Sequence, residues 1–403
     1  MGAGTLVELI ARGKQDAYFI GNPQFSYFKS VYRRHTNFAM EPIRQIFTES
    51  PDFGKRVTCI VDKKADLLAD VILEIELPAL EENVSWTNGI GNFMIDFVEL
   101  QLGGEMIDRI SGDLLDAWME ISTQLGIKNS AYQMSGKFIT FNKNTQTGAV
   151  QLLVPLPFWF CRSVERALPL ISMQYTDVKI VVQFKPFDQC WFKLTTASPA
   201  VTLSMTKANL ICNFIYLDVF ERTKMAKQEN IEFLIEQFQI GNPFQIQQNV
   251  LNANPRLFFN HPVKELIWMY RTQVATNAND YYNYANILNY NTPTQIKTAP
   301  FRDMKLRFNG NDRFESVPET FFRLYQPYKY HSCGTLQYIY VFSFAIDPEN
   351  MQPSGTCNFS KLDNVTMNLD CIDNIQEGIL MVYATNYNIL RIHNGMAGVM
   401  FSS

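Results

Sequence analysis

The segment Val178-Lys-Ile-Val-Val-Gln-Phe184 is rich in β-branched residues and ends at Lys185-Pro186. Such residues favour strands and proline cannot donate to a sheet ladder, so the segment predicts one short strand with a defined end. Other segments share this composition and predict further strands: Val201–Thr206, Leu210–Leu217, Glu265–Tyr270, Tyr338–Phe344 and Ile379–Ala384. Glycine, proline, asparagine and aspartate, which form turns, stand between them. Many short strands separated by turns predict an all-β sandwich or jelly-roll fold.

Helical signals are few and short. Thr5–Arg12 is amphipathic, and Ser111–Glu120 begins with a serine that can cap a helix. Asp218–Glu229 contains six charged residues in twelve and neither glycine nor proline, which predicts a polar connector at a domain boundary. The two halves share a faint similarity, because Phe97–Gly104 and Asp303–Gly310 are both alternating strands closed by a glycine-containing turn. On the residues alone, this similarity fits an internal duplication and two unrelated hairpins equally well.

Composition excludes several classes of protein. The chain has 403 residues, of which 47% are hydrophobic and 18% charged, so it can form a packed core and is not disordered. A net charge of −4 argues against a protein that coats nucleic acid, and we expect no direct nucleic-acid partner. The sequence has neither a long apolar run nor a secretory signal, which predicts no transmembrane helix. Seven cysteines without a CxxC pair predict reduced thiols rather than disulfides.

The residues that carry most enzyme chemistry lack the spacing that such chemistry needs. The four histidines form no HExxH or HxH pair, and His331-Ser-Cys333 is the nearest approach to a pair of metal ligands. No GxSxG motif, P-loop or complete dinucleotide-binding loop occurs. Carboxylate pairs such as Glu74 and Glu76 are too common in the chain for one pair to indicate a glycosidase. The sequence therefore predicts no enzyme, no metal site and no cofactor.

The most basic cluster of the chain lies among aromatic residues near the N-terminus. Its members are Tyr27, Phe28, Tyr32, Arg33, Arg34 and His35. Arginine and aromatic side chains are enriched in the cores of protein–protein interfaces, whereas phosphate contacts need the basic residues alone. We therefore favour a contact between protein subunits, with a phosphate contact as the alternative.

Asparagine marks two further features. Three sequons, at Asn83, Asn358 and Asn364, are candidate glycosylation sites, although the missing secretory signal argues against their use. Residues 251–300 contain nine asparagines, a density that favours loop over core and predicts a long exposed excursion. Aromatic and asparagine residues within 277–291 leave open a carbohydrate-binding jelly roll as a low-ranking alternative.

A resemblance to a known family rests on long strings that occur in order. Gly21–Phe25 followed by Phe28–Glu41 closely resembles the N-terminal signature of the major capsid proteins of nucleocytoplasmic large DNA viruses. Later strings resemble the same family: Val154–Phe160, Ala167–Ile171, His261–Trp268, Leu306–Phe314, Phe322–Pro327, Ile339–Ala345, Gln352–Ser360 and Tyr387–Arg391. Several matched strings in the family's order are more specific than any single motif.

The resemblance implies two consecutive eight-stranded jelly rolls with a few short helices and an N-terminal arm. The implied division is an arm at 1–24, a first jelly roll at 25–217, a charged linker at 218–230 and a second jelly roll at 231–403. It also implies a homotrimer that tiles the icosahedral outer capsid of a large double-stranded DNA virus and is assembled in the host cytoplasm. The implied partners are the chain itself, neighbouring trimers and minor capsid proteins. A minor or vertex-associated capsid paralogue of the same fold is the alternative.

The N-terminal arm carries the last prediction. A helix over Thr5–Arg12 would place Leu6, Leu9 and Ile10 on one face, and eight residues are too few to hold a helix alone in water. The apolar face therefore needs a surface to pack against. We expect the arm to dock on a neighbouring trimer, a minor capsid protein or an inner viral membrane, with a lid on its own subunit as the alternative.

Overall fold

The computed structural model describes residues 2–80, 84–137, 149–193, 202–288, 296–335 and 337–402. The chain separates into two compact units, Met1–Asn37 and Phe38–Ser403. Among the described residues, no helix is long and apolar enough to cross a membrane.

The N-terminal unit contains two short helices, α1 (Ala3–Ile10) and α2 (Ala17–Ile20), and neither has a buried residue. The predicted helix over Thr5–Arg12 therefore exists but begins and ends two residues earlier. The backbone leaves the helix at Ala11, whose ψ of 75° is not helical and whose N–H closes the last turn on the Val7 carbonyl.

The first half of the larger unit is a sandwich of two four-stranded antiparallel sheets. Its strands are β1 (Phe38–Gln45), β2 (Arg56–Ile60), β3 (Leu67–Leu77), β4 (Val84–Trp86), β5 (Ile95–Leu102), β6 (Glu105–Ser111), β7 (Val150–Pro155), β8 (Val178–Phe184), β9 (Trp191–Lys193) and β10 (Lys207–Leu217). One sheet has the order β1-β10-β3-β7 and the other β2-β8-β5-β6, while β4 and β9 form a separate pair. The strand predicted over Val201–Thr206 is not formed in its described part, and the chain enters β10 at Lys207.

The second half repeats this arrangement with shorter accessory strands. Its strands are β11 (Asn230–Ile240), β12 (Phe244–Ile246), β13 (Asn252–Ala253), β14 (Arg256–Leu257), β15 (Pro262–Thr272), β16 (Asn286–Leu288), β17 (Ile296–Thr298), β18 (Phe301–Phe308), β19 (Asn311–Asp312), β20 (Val317–Pro318), β21 (Ile339–Ser343), β22 (Cys357–Asn358), β23 (Val365–Cys371), β24 (Gly378–His393) and β25 (Met396–Val399). The main sheets have the orders β11-β24-β15-β21 and β13-β23-β18-β19.

The two sandwiches have the same topology. In each half the first long strand pairs with the last long strand, β1 with β10 and β11 with β24. That last long strand pairs on its other side with β3 in the first half and with β15 in the second. β5 and β18, which contain the strand parts of the two similar sequence segments, occupy equivalent positions. β5 lies between its hairpin partner β6 and β8, and β18 lies between its hairpin partner β19 and β23. The fold is therefore a double jelly roll, and the faint sequence similarity corresponds to a structural repeat.

In the described part of the larger unit, short 3-10 and π turns accompany the α-helices α3 (Ile90–Phe93), α4 (Gly112–Ser122), α5 (Leu125–Ser135), α6 (Val219–Ala226), α7 (Gln273–Asn277) and α8 (Gln326–Tyr330). The Ser111 hydroxyl caps α4 by accepting from the Leu114 N–H at 3.3 Å, as its sequence position predicts. α6 lies within the charged connector, where Asp218 caps it and Arg222 forms an ion pair with the buried Asp66 at 3.1 Å. The connector is thus helical and attached to the first sandwich, while the proposed domain boundaries remain a prediction.

The Asn-rich region is not an exposed excursion, and the prediction is wrong over residues 281–287. Tyr281, Tyr282 and Tyr284 are buried and belong to the same apolar cluster as the core of the first sandwich. Tyr281 stacks on Phe93 with ring centroids 4.0 Å apart, and the Asn279 amide donates to the Trp191 carbonyl at 2.7 Å. Asparagine is tolerated here because its side-chain amide can hydrogen-bond to buried backbone groups. A carbohydrate-binding loop would expose its aromatic rings, so the buried tyrosines do not support that alternative in the described part of 277–291.

Candidate assembly surfaces and the junction between the jelly rolls

The predicted contact face of α1 is exposed. Leu6 is 45% exposed, Leu9 56% and Ile10 78%, so three apolar side chains of one short helix face solvent in the isolated chain. Exposed apolar groups in such density are typical of a surface that another molecule covers.

The aromatic and basic residues that follow are exposed as well. Tyr27, Phe28 and Tyr32 are among the most exposed large apolar side chains, and Arg33 and Arg34 are exposed beside them. The segment that carries them forms neither helix nor strand. The neighbouring His35 is also exposed, and its ring Nδ1 lies 2.7 Å from the Thr36 carbonyl oxygen. The structure therefore presents these residues along one exposed segment, and their role in a subunit contact stays a prediction.

One surface was missed in the sequence. β1 is the outermost strand of its sheet, and its first five residues, Phe38–Pro42, are exposed on both faces. Phe38 and Met40 are each nearly half exposed. An exposed apolar edge strand offers backbone donors and acceptors to another chain. The signal was available, because Phe38-Ala-Met40 adjoins the aromatic and basic cluster.

Two of the three candidate glycosylation sites lie on the described surface. Asn358 and Asn364 are exposed, and the side-chain amide oxygen Oδ1 of Asn358 accepts from the Ser360 N–H at 3.0 Å. Asn83 lies outside the described residues. Their modification stays a prediction.

A cluster of buried charges connects the two jelly rolls, and the sequence did not predict it. We call Arg162, Arg166, Glu236 and Lys264 the Glu236 cluster. Arg162 and Arg166 come from the first half, and their guanidinium groups lie 2.5 and 3.1 Å from the Glu236 carboxylate of β11. Lys264 of β15 lies 3.0 Å from the same carboxylate and is fully buried. Burial opposes ionisation of Glu236, but the three cations outweigh it and lower the pKa of this carboxyl group.

Aromatic rings enclose the same cluster. The Arg162 guanidinium lies over the rings of Trp118, at 4.4 Å, and Phe238, at 4.7 Å. Trp118 belongs to the first half and Phe238 to the second, so one cation contacts both sandwiches. Next to it, the Phe238 N–H donates at 2.9 Å to Asp108, whose pKa burial raises to about 7. These contacts fix the relative position of the two sandwiches.

A second buried group of charges lies at α4 and α5. We call Asp116, Glu120, Lys128 and Lys137 the α4 cluster. The Lys137 ammonium lies 2.6 Å from Asp116 and 2.7 Å from Glu120, and Lys128 lies 2.8 Å from Glu120. The Tyr132 hydroxyl also donates to Glu120, at 3.0 Å. All four charged side chains are buried, and the cluster has two cations and two carboxyl groups.

A buried histidine bridges two carboxylates in the second half. His331 Nε2 lies 3.1 Å from Glu265, and Nδ1 lies 3.0 Å from Glu349. The Thr385 hydroxyl donates to Glu265 at 3.2 Å. Burial disfavours the imidazolium, but the two carboxylates outweigh burial and raise the pKa of His331 to about 9. His331 is thus held in ion pairs with Glu265 and Glu349, while Cys333, with which the sequence grouped it, has its Sγ 3.6 Å from Lys128 Nζ.

The part of the chain that the structure describes has neither a cluster of metal-ligating side chains nor an exposed thiol. No group of three or more histidine, cysteine, aspartate or glutamate residues there could hold a metal ion. All seven cysteines are free thiols, and none is exposed. Burial raises the pKa of Cys59 to about 11 and that of Cys190 to about 12, which makes these thiols poor nucleophiles.

Two protein-family models and a known relative match the chain along most of its length. The family described as "Major capsid protein N-terminus" matches residues 26–218, and the family described as "Large eukaryotic DNA virus major capsid protein" matches residues 221–398. The major capsid protein of Pyramimonas orientalis virus is 36% identical to the chain over 428 aligned residues, which cover 99% of this chain and all of the relative. The chain belongs to the family of major capsid proteins of large eukaryotic DNA viruses.

Two further comparisons, one of sequence and one of structure, show the fold. The major capsid protein of Paramecium bursaria Chlorella virus 1 is 32% identical over the full length of both chains. A chain of the quasi-atomic model of the PBCV-1 virus capsid has a TM-score of 0.82 and 28% identity, covering 94% of this chain and 100% of that one. The resemblance stated from the sequence and the double jelly roll are both confirmed.

Proposed function

We propose that the chain is a structural virion protein, the homotrimeric capsomer that tiles the icosahedral outer capsid of a large double-stranded DNA virus. The observation that carries the proposal is the repeated strand order of the two halves. Two similar sandwiches per chain give six per trimer, and six similar units approximate a hexagonal tile that covers a surface without gaps. The family's capsid proteins are structural, which supports a role without enzyme activity.

A tile needs sandwiches that do not move against each other. The core cluster of the first sandwich includes Ile235, Ile267 and Tyr282 from the second half, so the two share one continuous apolar interior. The Glu236 cluster adds directional contacts at the same junction. A shared core and a buried ion network together support a single rigid capsomer subunit.

The exposed surfaces are the proposed contacts with partner molecules. We assign residues 1–24 to an arm, 25–217 and 231–403 to the two jelly rolls and 218–230 to the linker. The edge strand β1 and the segment Tyr27–His35 face a second copy or a neighbouring trimer, and α1 faces a neighbouring trimer, a minor capsid protein or an inner membrane. A net charge of −4 limits non-specific binding to the genome.

Deleting residues 1–21 tests this assignment in particles. We expect trimers with an unchanged melting temperature that fail to join the shell, because the exposed apolar face of α1 is then missing. The measurement is thermal unfolding of the purified trimer together with the amount of the chain in purified particles, using the full chain as control. A melting temperature lowered by several degrees, with normal incorporation into the shell, would favour a lid on the same subunit and contradict the proposal.

A further inference from the structure

The α4 cluster places an amine against a carboxyl group with a second carboxylate beside both. Lys137 Nζ lies 2.6 Å from Asp116 Oδ1 and 2.7 Å from Glu120 Oε1. Asp116 and Glu120 are one turn apart on α4, so their side chains share a face of the helix. Three reacting groups therefore converge within hydrogen-bond distance.

The end of α5 positions the lysine. Gly136 has a φ of +72°, a left-handed conformation that turns the chain back after the helix, and the Lys137 N–H donates to the Tyr132 carbonyl at 2.7 Å. The Lys137 side chain consequently enters the interior, where it lies 5.3 Å from the centre of the Tyr282 ring. This geometry is set by the backbone and does not depend on a flexible rotamer at the surface.

Water has little access to these groups. The exposed fraction of the side chain is 4% for Lys137, 0% for Asp116 and 2% for Glu120. Asp116 Oδ2 is buried and has no hydrogen-bond partner in the described part of the chain. A buried oxygen without a partner is unfavourable, and so is each buried charge. A reaction that removes both charges and the unpaired oxygen is thus favoured by this environment.

We propose that Lys137 and Asp116 condense, after folding, to form an intramolecular isopeptide bond, with Glu120 as the proton carrier. The Lys137 ammonium first gives one proton to the Asp116 carboxylate, and its nitrogen then attacks Cγ of Asp116. The new C–N bond forms and one C–O bond breaks. Glu120 carries a second proton from the nitrogen to the departing hydroxyl, which leaves as water. Glu120 ends ionised as it began, so one amide and one water replace one ammonium and one carboxylate.

The charges of the cluster fit this sequence of steps. Burial raises the pKa of Asp116 to about 6, although Lys137 opposes this, so Asp116 accepts a proton more readily than an exposed aspartate. Burial opposes ionisation of Glu120, but Lys137 and Lys128 outweigh it and lower its pKa, which keeps this group available as a base. Burial also disfavours the Lys137 ammonium, yet Asp116 and Glu120 outweigh it and raise the pKa of Lys137. The neutral amine is therefore a minor form, and the bond forms slowly, once per chain.

The bond would have a defined structural effect. It would close a covalent ring over residues 116–137, which contains the end of α4 and all of α5. After condensation Lys128 and Glu120 remain as a balanced buried pair at 2.8 Å. The ring would hold the helical insertion of the first jelly roll on its sandwich when the shell is strained.

Peptide mass mapping of the folded, aged full chain tests the proposal. Trypsin is expected to release one branched peptide in which residues 110–128 are joined to 129–143, lighter than the two peptides by one water and uncut at Lys137. An internal control is the pair Lys305 and Asp312, whose charged atoms lie 2.9 Å apart but are accessible to solvent; its peptides should have their full mass.

Two variants separate the chemistry from folding. Lys137→Arg keeps the charge and the ion pair but removes the reactive amine, so we expect a folded protein without the branched peptide. Glu120→Gln is expected to slow the appearance of that peptide at least tenfold, and an unchanged rate would overturn the role of Glu120. Full-mass separate peptides containing Asp116 and Lys137 in the aged, folded wild-type chain would overturn the proposal itself.

Discussion

Replacing Glu236 with glutamine is expected to lower the free energy of unfolding by about 3 to 5 kcal/mol, because three buried cations then lose their shared carboxylate. Arg162, Arg166 and Lys264 all lie within 3.1 Å of Glu236, and their side chains are only 12%, 5% and 0% exposed, so they cannot be fully hydrated while the two jelly rolls stay packed. The neutral amide has the same shape, so the loss reports charge rather than packing. Denaturant unfolding of the purified protein near neutral pH measures it.

The same strand offers a matched control. Glu232 lies four residues before Glu236 on β11 and pairs with Arg391 at 2.7 Å, but both side chains are about half exposed. Glu232→Gln should change the free energy of unfolding by less than about 1 kcal/mol, as exposed ion pairs do. Equal effects of the two substitutions would show that the Glu236 cluster does not hold the jelly rolls together.

Replacing His331 with glutamine is the second large change, and its effect depends on pH. The pKa of His331 is about 9 in the folded chain and near 6.5 in an unfolded one, so the folded state binds the proton more tightly. The stabilisation is complete below about pH 6.5 and is lost as the pH rises through 9. The raised pKa of His331 therefore contributes about 3 kcal/mol to the free energy of unfolding at low pH. Unfolding of the wild-type and His331→Gln proteins should therefore differ strongly at pH 6 and converge near pH 10.

A second histidine provides the control for this pH series. His393 is exposed at the end of β24, where its ring lies against the Asn230 side chain. His393→Gln should follow the wild-type pH dependence throughout. If the difference between wild type and His331→Gln were the same at pH 6 and pH 10, the ion pair with Glu265 would not be the source of the stability.

The sequence was most informative where structure is local. Val178–Phe184 forms β8 over the predicted residues, because β-branched side chains and a following Lys-Pro define a strand and its end. The similar segments around Phe97 and Asp303 share one position in their sheets, since an alternating strand closed by a glycine turn has few places in a jelly roll. Local strand and turn signals, joined to the family resemblance, therefore predicted the architecture.

The sequence was least informative where burial depends on distant residues. Asparagine and tyrosine around Tyr282 predicted a loop, yet the ring packs in the first sandwich and its hydroxyl donates to the Gly112 carbonyl, 170 residues away. Glu236 lies in an alternating strand and would be assigned to solvent by its charge, but Arg162 and Lys264 enclose it. Buried ion pairs between remote segments leave no periodic trace in one sequence.

The assembly surfaces fall between these cases. The apolar face of α1 follows from helical spacing, and the structure leaves Leu6, Leu9 and Ile10 exposed. The exposure of β1 did not follow from its own strand pattern, because a strand exposed on both faces has the same composition as one with a buried face, and its only signal was its place next to the aromatic and basic cluster. Which exposed surface meets which partner is a property of the assembled shell, and the domain boundaries and contact residues remain predictions.

Native mass spectrometry of the purified full chain at micromolar concentration tests the central claim most directly. Three copies of the 46.5 kDa chain would give a species of about 140 kDa, which is the capsomer that the proposal requires. The account predicts that this trimer dominates the spectrum. A spectrum that contains only the 46.5 kDa monomer would contradict it.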